Sequence, residues 1–398
     1  MTATRSSAFL AQGKLFVKHG DQPAKEIESK FAQEIIERDT RDRQRHGWKQ
    51  SSNGWMATSR GEMPWMTGQT GDPEARRIHI TSVARVAAVD AAHMLYTLDT
   101  DTVGGLFHYD TLEAYERRLV HHSEFRIRDL DRHPDDGEIA CSVRHKDGTA
   151  SVAVMPADGG KLREITEGDS VDESPAWVTG RERKLVFQTA GIGRDHAGIP
   201  LGLGPYRIEM LDFERNDMRV VMEDAQRDLL QPRMLADGTL YFIRRPWYLH
   251  GHAPVSPLRR IGDVLLYPFR LMLALHAFLN FMSMTFRGKG LTAAGGPKRE
   301  GPDMRFMMLH GRMIDVKKAE SALSKQGGAG LFPRDWELVK VDATGAEQTL
   351  ARGVGSYDLT PQGTVLYSDG KAVFEVNDAG KADVICRQAM IERVIALR

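Results

Sequence analysis

Apolar and polar residues alternate with a period of two over short runs along much of the chain, and turn dipeptides separate the runs. The clearest stretch is 125–168. FRIRDLDRHPDDG ends in a Pro-Asp-Asp-Gly turn, EIACSVRHKDG runs to Asp147-Gly148, TASVAVMPADGG closes at Asp158-Gly159-Gly160, and KLREITEG makes a fourth run. Successive strand side chains point to opposite faces, and Asp-Gly pairs supply tight reversals, so this pattern predicts a four-stranded antiparallel meander. It recurs with a period of roughly 45 residues, the spacing of a repeated sheet unit.

The next unit opens DESPAWVTGRERKLVFQTAG and resumes at GPYRIEMLDFERNDMRVVMED, and LTPQGTVLYSDGKAVFEVNDAGKADVICR repeats the pattern near the C-terminus. This wording, a Ser-Pro-Ala-Trp followed by a turn and Lys-Leu-x-Phe, resembles the WD40-like repeat of TolB-type β-propellers over about 79–243 and 336–398. The resemblance implies an all-β, six-bladed β-propeller. Blade one covers 79–122, blade two 123–168, blade three 169–224, blade four starts at 227, and blade five covers 354–387. SSAFLAQ, GKLFVKHG and PAKEIES then supply three strands of a last blade, and MIERVIALR the fourth, so both chain ends close the ring and leave no open edge. The expected organisation is one propeller domain over 1–398, carrying a Trp-rich crossover at 29–76 and an insertion at 245–335.

In such a meander the turns between second and third strands share a face with the connections from one blade to the next. Three long excursions, 29–76, 190–205 and 245–335, therefore fall on one face, which marks it as the working surface. In the first, Ser29 is an expected helix N-cap, with Phe31, Ile35 and Ile36 on one stripe. Trp48, Trp55 and Trp65 follow, either as a partner-binding surface or as anchors of a long loop. The second, AGIGRDHAGIPLGLGP, lacks the spacing of a phosphate-binding loop and is expected to be a flexible connection.

The third holds a strongly apolar stretch, Val264 to Phe286, of about 23 residues, long enough to span a bilayer. Both of its ends return to one blade, so a single crossing is excluded. An interfacial or buried helix is expected instead. Leu265, Leu266, Phe269, Leu273, Phe278, Leu279, Phe281 and Met282 give the apolar side, and Arg259, Arg260, Arg270 and Arg287 the basic flank. Residues 245–335 carry 14 basic and 6 acidic side chains, an excess suited to an anionic membrane surface.

Elsewhere charge is uninformative: 54 basic and 54 acidic residues cancel, and 29–76 carries eight basic against seven acidic side chains, which argues against nucleic acid. Apolar residues at 41% allow a sizeable core. Cys141 and Cys386 belong to no ligand cluster and are expected as free thiols in a reducing compartment. The N-terminal residues lack the long apolar core of a secretory signal, unlike exported TolB proteins, so a cytoplasmic, peripherally membrane-bound protein is expected.

Catalytic signatures are sparse. GxSxG and HExxH do not occur. His250, His252, His276 and His310 share the insertion without a fixed acidic partner. Asp129, Asp131, Asp135 and Asp136 suggest calcium but are expected to make turns. His121, His122, Glu124, Asp169, Asp172 and Glu173 are expected in loops at the channel mouth, foremost as solvated charges and otherwise as holders of a metal or small ligand. The leading expectation is a non-enzymatic scaffold that binds a protein partner, without a cofactor. A metal-dependent, lactonase-like hydrolase is the alternative.

Overall fold

The computed structural model describes residues 6–35, 37–38, 41, 79–85, 92–99, 103–123, 126–180, 182–248, 306–309, 312–315, 330–360, 363–376 and 382–397. The chain divides into two compact units, Met1–Leu249 with Met304–Arg398 and His250–Asp303, and the second lies outside the described residues.

The larger unit is all-β, and its strands group as antiparallel meanders of four. Blade one is His79–Arg85, His93–Asp99, Gly104–Asp110 and Tyr115–His122. Blade two is Ile127–Arg132, Ile139–Arg144, Ala150–Met155 and Arg163–Glu164, and blade three is Ser170–Trp177, Lys184–Arg194, Arg207–Asp212 and Asp217–Met222. One parallel bridge, Ala150 to Val171, joins these two. Blade four pairs Arg227–Met234, Leu240–Pro246, Glu337–Val341 and Glu347–Arg352, so residues 247–336 are inserted between its second and third strands. Blade five is Ser356–Leu359, Val365–Ser368, Ala372–Val376 and Ala382–Arg387. The remaining sheet pairs Ile391–Ala396 from the C-terminus with Ser6–Ala11, Lys14–His19 and Lys25–Ile27 from the N-terminus, as the alternation predicts. Within the insertion, Phe306–Leu309 and Arg312–Asp315 form a small hairpin.

Apolar clusters lie between successive blades. Leu95 and Leu106 of blade one share a cluster with Ile139 of blade two, and Val152 of blade two shares one with Leu185 and Phe187 of blade three. Ile208 of blade three meets Phe242 and Val339 of blade four, and Ile243 of blade four meets Tyr357 and Val365 of blade five. Leu366 of blade five joins Phe9 and Val394 of the closing blade, whose Leu15 and Val17 join Tyr96 of blade one. Every middle strand is thus covered on both faces. Ala150–Met155 is accordingly buried at all six positions, whereas the outer strand Tyr115–His122 is half-buried or exposed throughout.

Turn chemistry follows the sequence. The Asp212 carboxylate accepts the N–H groups of Glu214 and Arg215, and Asp237 accepts that of Thr239. These donors hold both carboxyls below the usual range.

Candidate functional site

The first strand of each blade lines the ring axis. In blades two, three and four that strand carries a bulge, and the extra residue is a non-glycine in the left-handed region: Asp129 (φ 44°), Ser174 (φ 52°) and Gln231 (φ 52°). A bulge re-aims the side chains around it. In blade two it sets Asp129 and Asp131 toward the neighbouring strands. Asp129 accepts the Ser174 N–H at 3.2 Å and the guanidinium of Arg393. Asp131 accepts the Trp177 N–H at 2.7 Å and Arg233 Nη1 at 2.9 Å. Blade five repeats the arrangement without a bulge: Ser356 Oγ accepts the Val394 N–H at 3.1 Å, and Asp358 accepts the Ala396 N–H at 2.9 Å. Asp358 also lies 3.7 Å from Arg233 Nε.

Toward the elaborated face, Arg144 donates to Glu173 at 2.5 Å, and the Tyr206 hydroxyl reaches the same carboxylate at 3.4 Å. Burial pushes Glu173 up, with Arg144 opposing it, and pushes the Tyr206 hydroxyl up further beside that carboxylate. Arg245 donates to Asp228 at 2.8 Å with both side chains only 3% exposed, and its guanidinium stands 4.8 Å from the Trp336 ring centre. Arg128 donates to Asp99 at 2.5 Å. Asp129, Asp131, Glu173, Asp228 and Asp358 on the first strands therefore each face an arginine, and among the described residues no group of three or more His, Cys, Asp or Glu is placed to hold a metal ion.

Three described structures rise on the elaborated face. Ser29 caps a helical segment at 30–35: its Oγ accepts the Ala32 N–H at 3.2 Å, and Phe31 packs on Phe107 at 5.0 Å between ring centres. The second is a two-stranded ribbon, in which the end of Lys184–Arg194 pairs with Pro200–Leu203. Ile192 and Leu203 at its base pack on the core, while Ile199 and Leu201 near its tip are 59% and 58% exposed. The third is the returning end of the insertion, where Leu331, Phe332 and Trp336 are buried with Met390. The outgoing end is held by Trp247, whose indole N–H donates to the Leu203 carbonyl.

Several sequence expectations change. Segment 190–205 is a paired ribbon rather than a loop. Asp195 accepts the N–H groups of Ala197 and Ile199, each at 2.8 Å, and this Asp-His-Ala-Gly turn between two apolar runs was the signal for a hairpin. Asp136 makes the expected turn bond to Glu138, but Asp129 and Asp131 belong to the axial arginine network. Asp172 and Glu173 lie in a buried strand, Asp172 accepting the Thr189 hydroxyl at 2.6 Å, and His121 and His122 end an outer strand. Asp169 is in a loop as expected, paired with Arg194. Cys141 is buried and Cys386 half-buried, both free. Trp48, Trp55, Trp65, Glu124, the four insertion histidines and the whole apolar, basic stretch from Arg259 to Arg287 lie outside the described residues. Among the described residues no helix is long and apolar enough to cross a membrane.

Four-stranded meanders joined face to face, with the chain ends sharing one sheet, define a β-propeller. Comparison with solved structures places the fold among TolB-like propellers. TolB from Acinetobacter baumannii superposes with a TM-score of 0.50 at 10% identity, over 99% of this chain and 66% of that one, so this chain spans about two thirds of its length. A chain of a nidogen/laminin complex gives 0.48 at 9% identity over 99% and 98%, and a TolB-like protein from Agrobacterium tumefaciens 0.42 at 12% over 80% and 85%. At such identities the likeness is one of fold alone. No family model matches the sequence, and no curated protein does.

Proposed function

We propose that this chain is a non-enzymatic, six-bladed propeller that binds a protein partner through its elaborated face, held at an anionic membrane surface by the insertion of blade four. The observation that carries this reading is the one-sidedness of the long connections. Described turns of the opposite face, at Asp110, Asp136, Asp212 and Asp237, are tight, and the ribbon carries exposed Ile199 and Leu201 on the elaborated side. The pairing of axial carboxylates with arginines favours a binding module over a metal-dependent hydrolase, because those groups are committed to one another.

The membrane part rests on composition. Residues 245–335 join an apolar stretch to an excess of basic side chains, which suits a helix lying in the interface of anionic lipid while the propeller stays cytoplasmic. Liposome flotation tests it, with anionic and neutral vesicles, on the intact chain, a 258–290 deletion and Leu266→Asp/Phe278→Asp. Flotation of the intact chain with anionic vesicles only, weakened by salt and lost in both variants, is expected. Equal recovery of all three in the lipid-free fraction contradicts it.

A further inference from the structure

The strand pairing of the two chain ends is one closure of the ring. Side chains at the axis trace a second. Starting in blade two, Asp131 holds Arg233 of blade four at 2.9 Å, and the other edge of that guanidinium faces Asp358 of blade five at 3.7 Å. Asp358 holds the Ala396 N–H of the closing strand, and three residues earlier on that strand Arg393 returns to Asp129 of blade two. Blades two and five stand opposite one another in a ring of six, so Arg233 ties blades that share no interface. Its side chain is 15% exposed and Asp358's 2%. Burial by itself would lower the Arg233 pKa, and the two carboxylates more than offset that, so the guanidinium is firmly charged.

We infer that Asp129, Asp131, Arg233, Asp358 and Arg393 form an axial circuit that latches the closing strand from inside the ring, independently of its sheet partners. Each ion pair alone resembles many buried pairs, in which the cost of desolvation cancels much of the attraction. What distinguishes this set is its path, from blade two through four, five and six and back to two. Asp131 adds blade three through the Trp177 N–H. Local opening of the closing strand must therefore break ties to blades two and five, whose Asp131 and Asp358 are in turn held by Arg233 of blade four.

Amide hydrogen exchange tests this on the full chain. Arg233→Met cuts the circuit in blade four, far in sequence from the closing strand. Arg245→Met is the control, because it removes a still more deeply buried pair with Asp228 that lies within blade four. Exchange of the Val394 and Ala396 amides at least tenfold faster in Arg233→Met than in Arg245→Met, at matched global stability, is the expected result. The triple variant Arg233→Met/Asp131→Asn/Asp358→Asn leaves no unpaired buried charge and keeps amide oxygens for Trp177 and Ala396, so it serves if the single variant does not fold. Wild-type exchange of the closing strand in the triple variant, or equal exchange in the two single variants, overturns the inference.

Discussion

The backbone N–H of Ala396, in the last strand of the chain, donates to the carboxylate of Asp358 in blade five at 2.9 Å. Both partners are buried, and the same carboxylate faces Arg233. Asp358→Ala would leave a buried donor and a guanidinium short of an acceptor, a loss on the order of 3 kcal/mol. Chemical denaturation should show it as a lower midpoint with an unchanged slope. A change within about 0.5 kcal/mol, typical of a surface substitution, would show that this carboxylate carries little of the closure.

Deleting the last ten residues removes the innermost strand of the closing blade, with Arg393 and Ala396. Edges on blades one and five would then be uncovered. The expected outcome is loss of the single cooperative melting transition. A truncated chain that melts like the parent would refute the closure.

Glu392 is the second residue of the same strand. Burial pushes its carboxyl up to about 7, with the Gln12 N–H opposing. The folded protein then holds this proton more tightly than the unfolded chain. The group's contribution is fully present below the ordinary carboxyl range and is lost as pH rises through about 7. Glu392→Gln should remove that dependence, so the variant gains on the parent by roughly 2 kcal/mol between pH 4.5 and pH 8. Unfolding free energies of both proteins across this window are the check, and parallel curves would count against it.

Gly355 makes room for the returning end of the insertion. A Cβ there would lie 2.0 Å from Phe332 Cε2 and 2.2 Å from Cζ, inside the ring's own volume. Gly355→Ala should cost about 2 kcal/mol by expelling the ring. Phe332→Leu in the same chain should restore part of it, a coupling that a double-mutant cycle measures. Strictly additive losses would mean that the two positions do not compete for space.

Much of this architecture was legible in sequence because blades are local. Alternation within Ile139–Arg144 and Ala150–Met155, and the Asp-Gly pair between them, fix strands and turn without reference to the rest of the chain. The axis was not legible. Asp129 and Asp131 look like turn or calcium aspartates, and only the bulge at Asp129 together with arginines 102 and 264 positions away gives them their role. Ser29 was found as a cap because its partner, Ala32, is three residues on. The ribbon is less legible, because its glycines suggest flexibility and only the Asp195 turn marks it as a hairpin.

Two surface variants test the proposed binding by the elaborated face. Ile199→Asp/Leu201→Asp alters exposed apolar groups on the elaborated side. Leu112→Asp alters one that is 75% exposed in a tight turn on the opposite side. All three positions are solvent-facing, so both variants should fold like the parent. Quantitative affinity capture from extract of the source cell, with the intact chain, each variant and the 258–290 deletion as baits, should recover a stoichiometric partner with the intact chain and with Leu112→Asp. That partner should fall at least tenfold with the ribbon variant and the deletion. Retention of the partner by both of those baits, with loss in Leu112→Asp, would place binding on the tight-turn face and contradict the account.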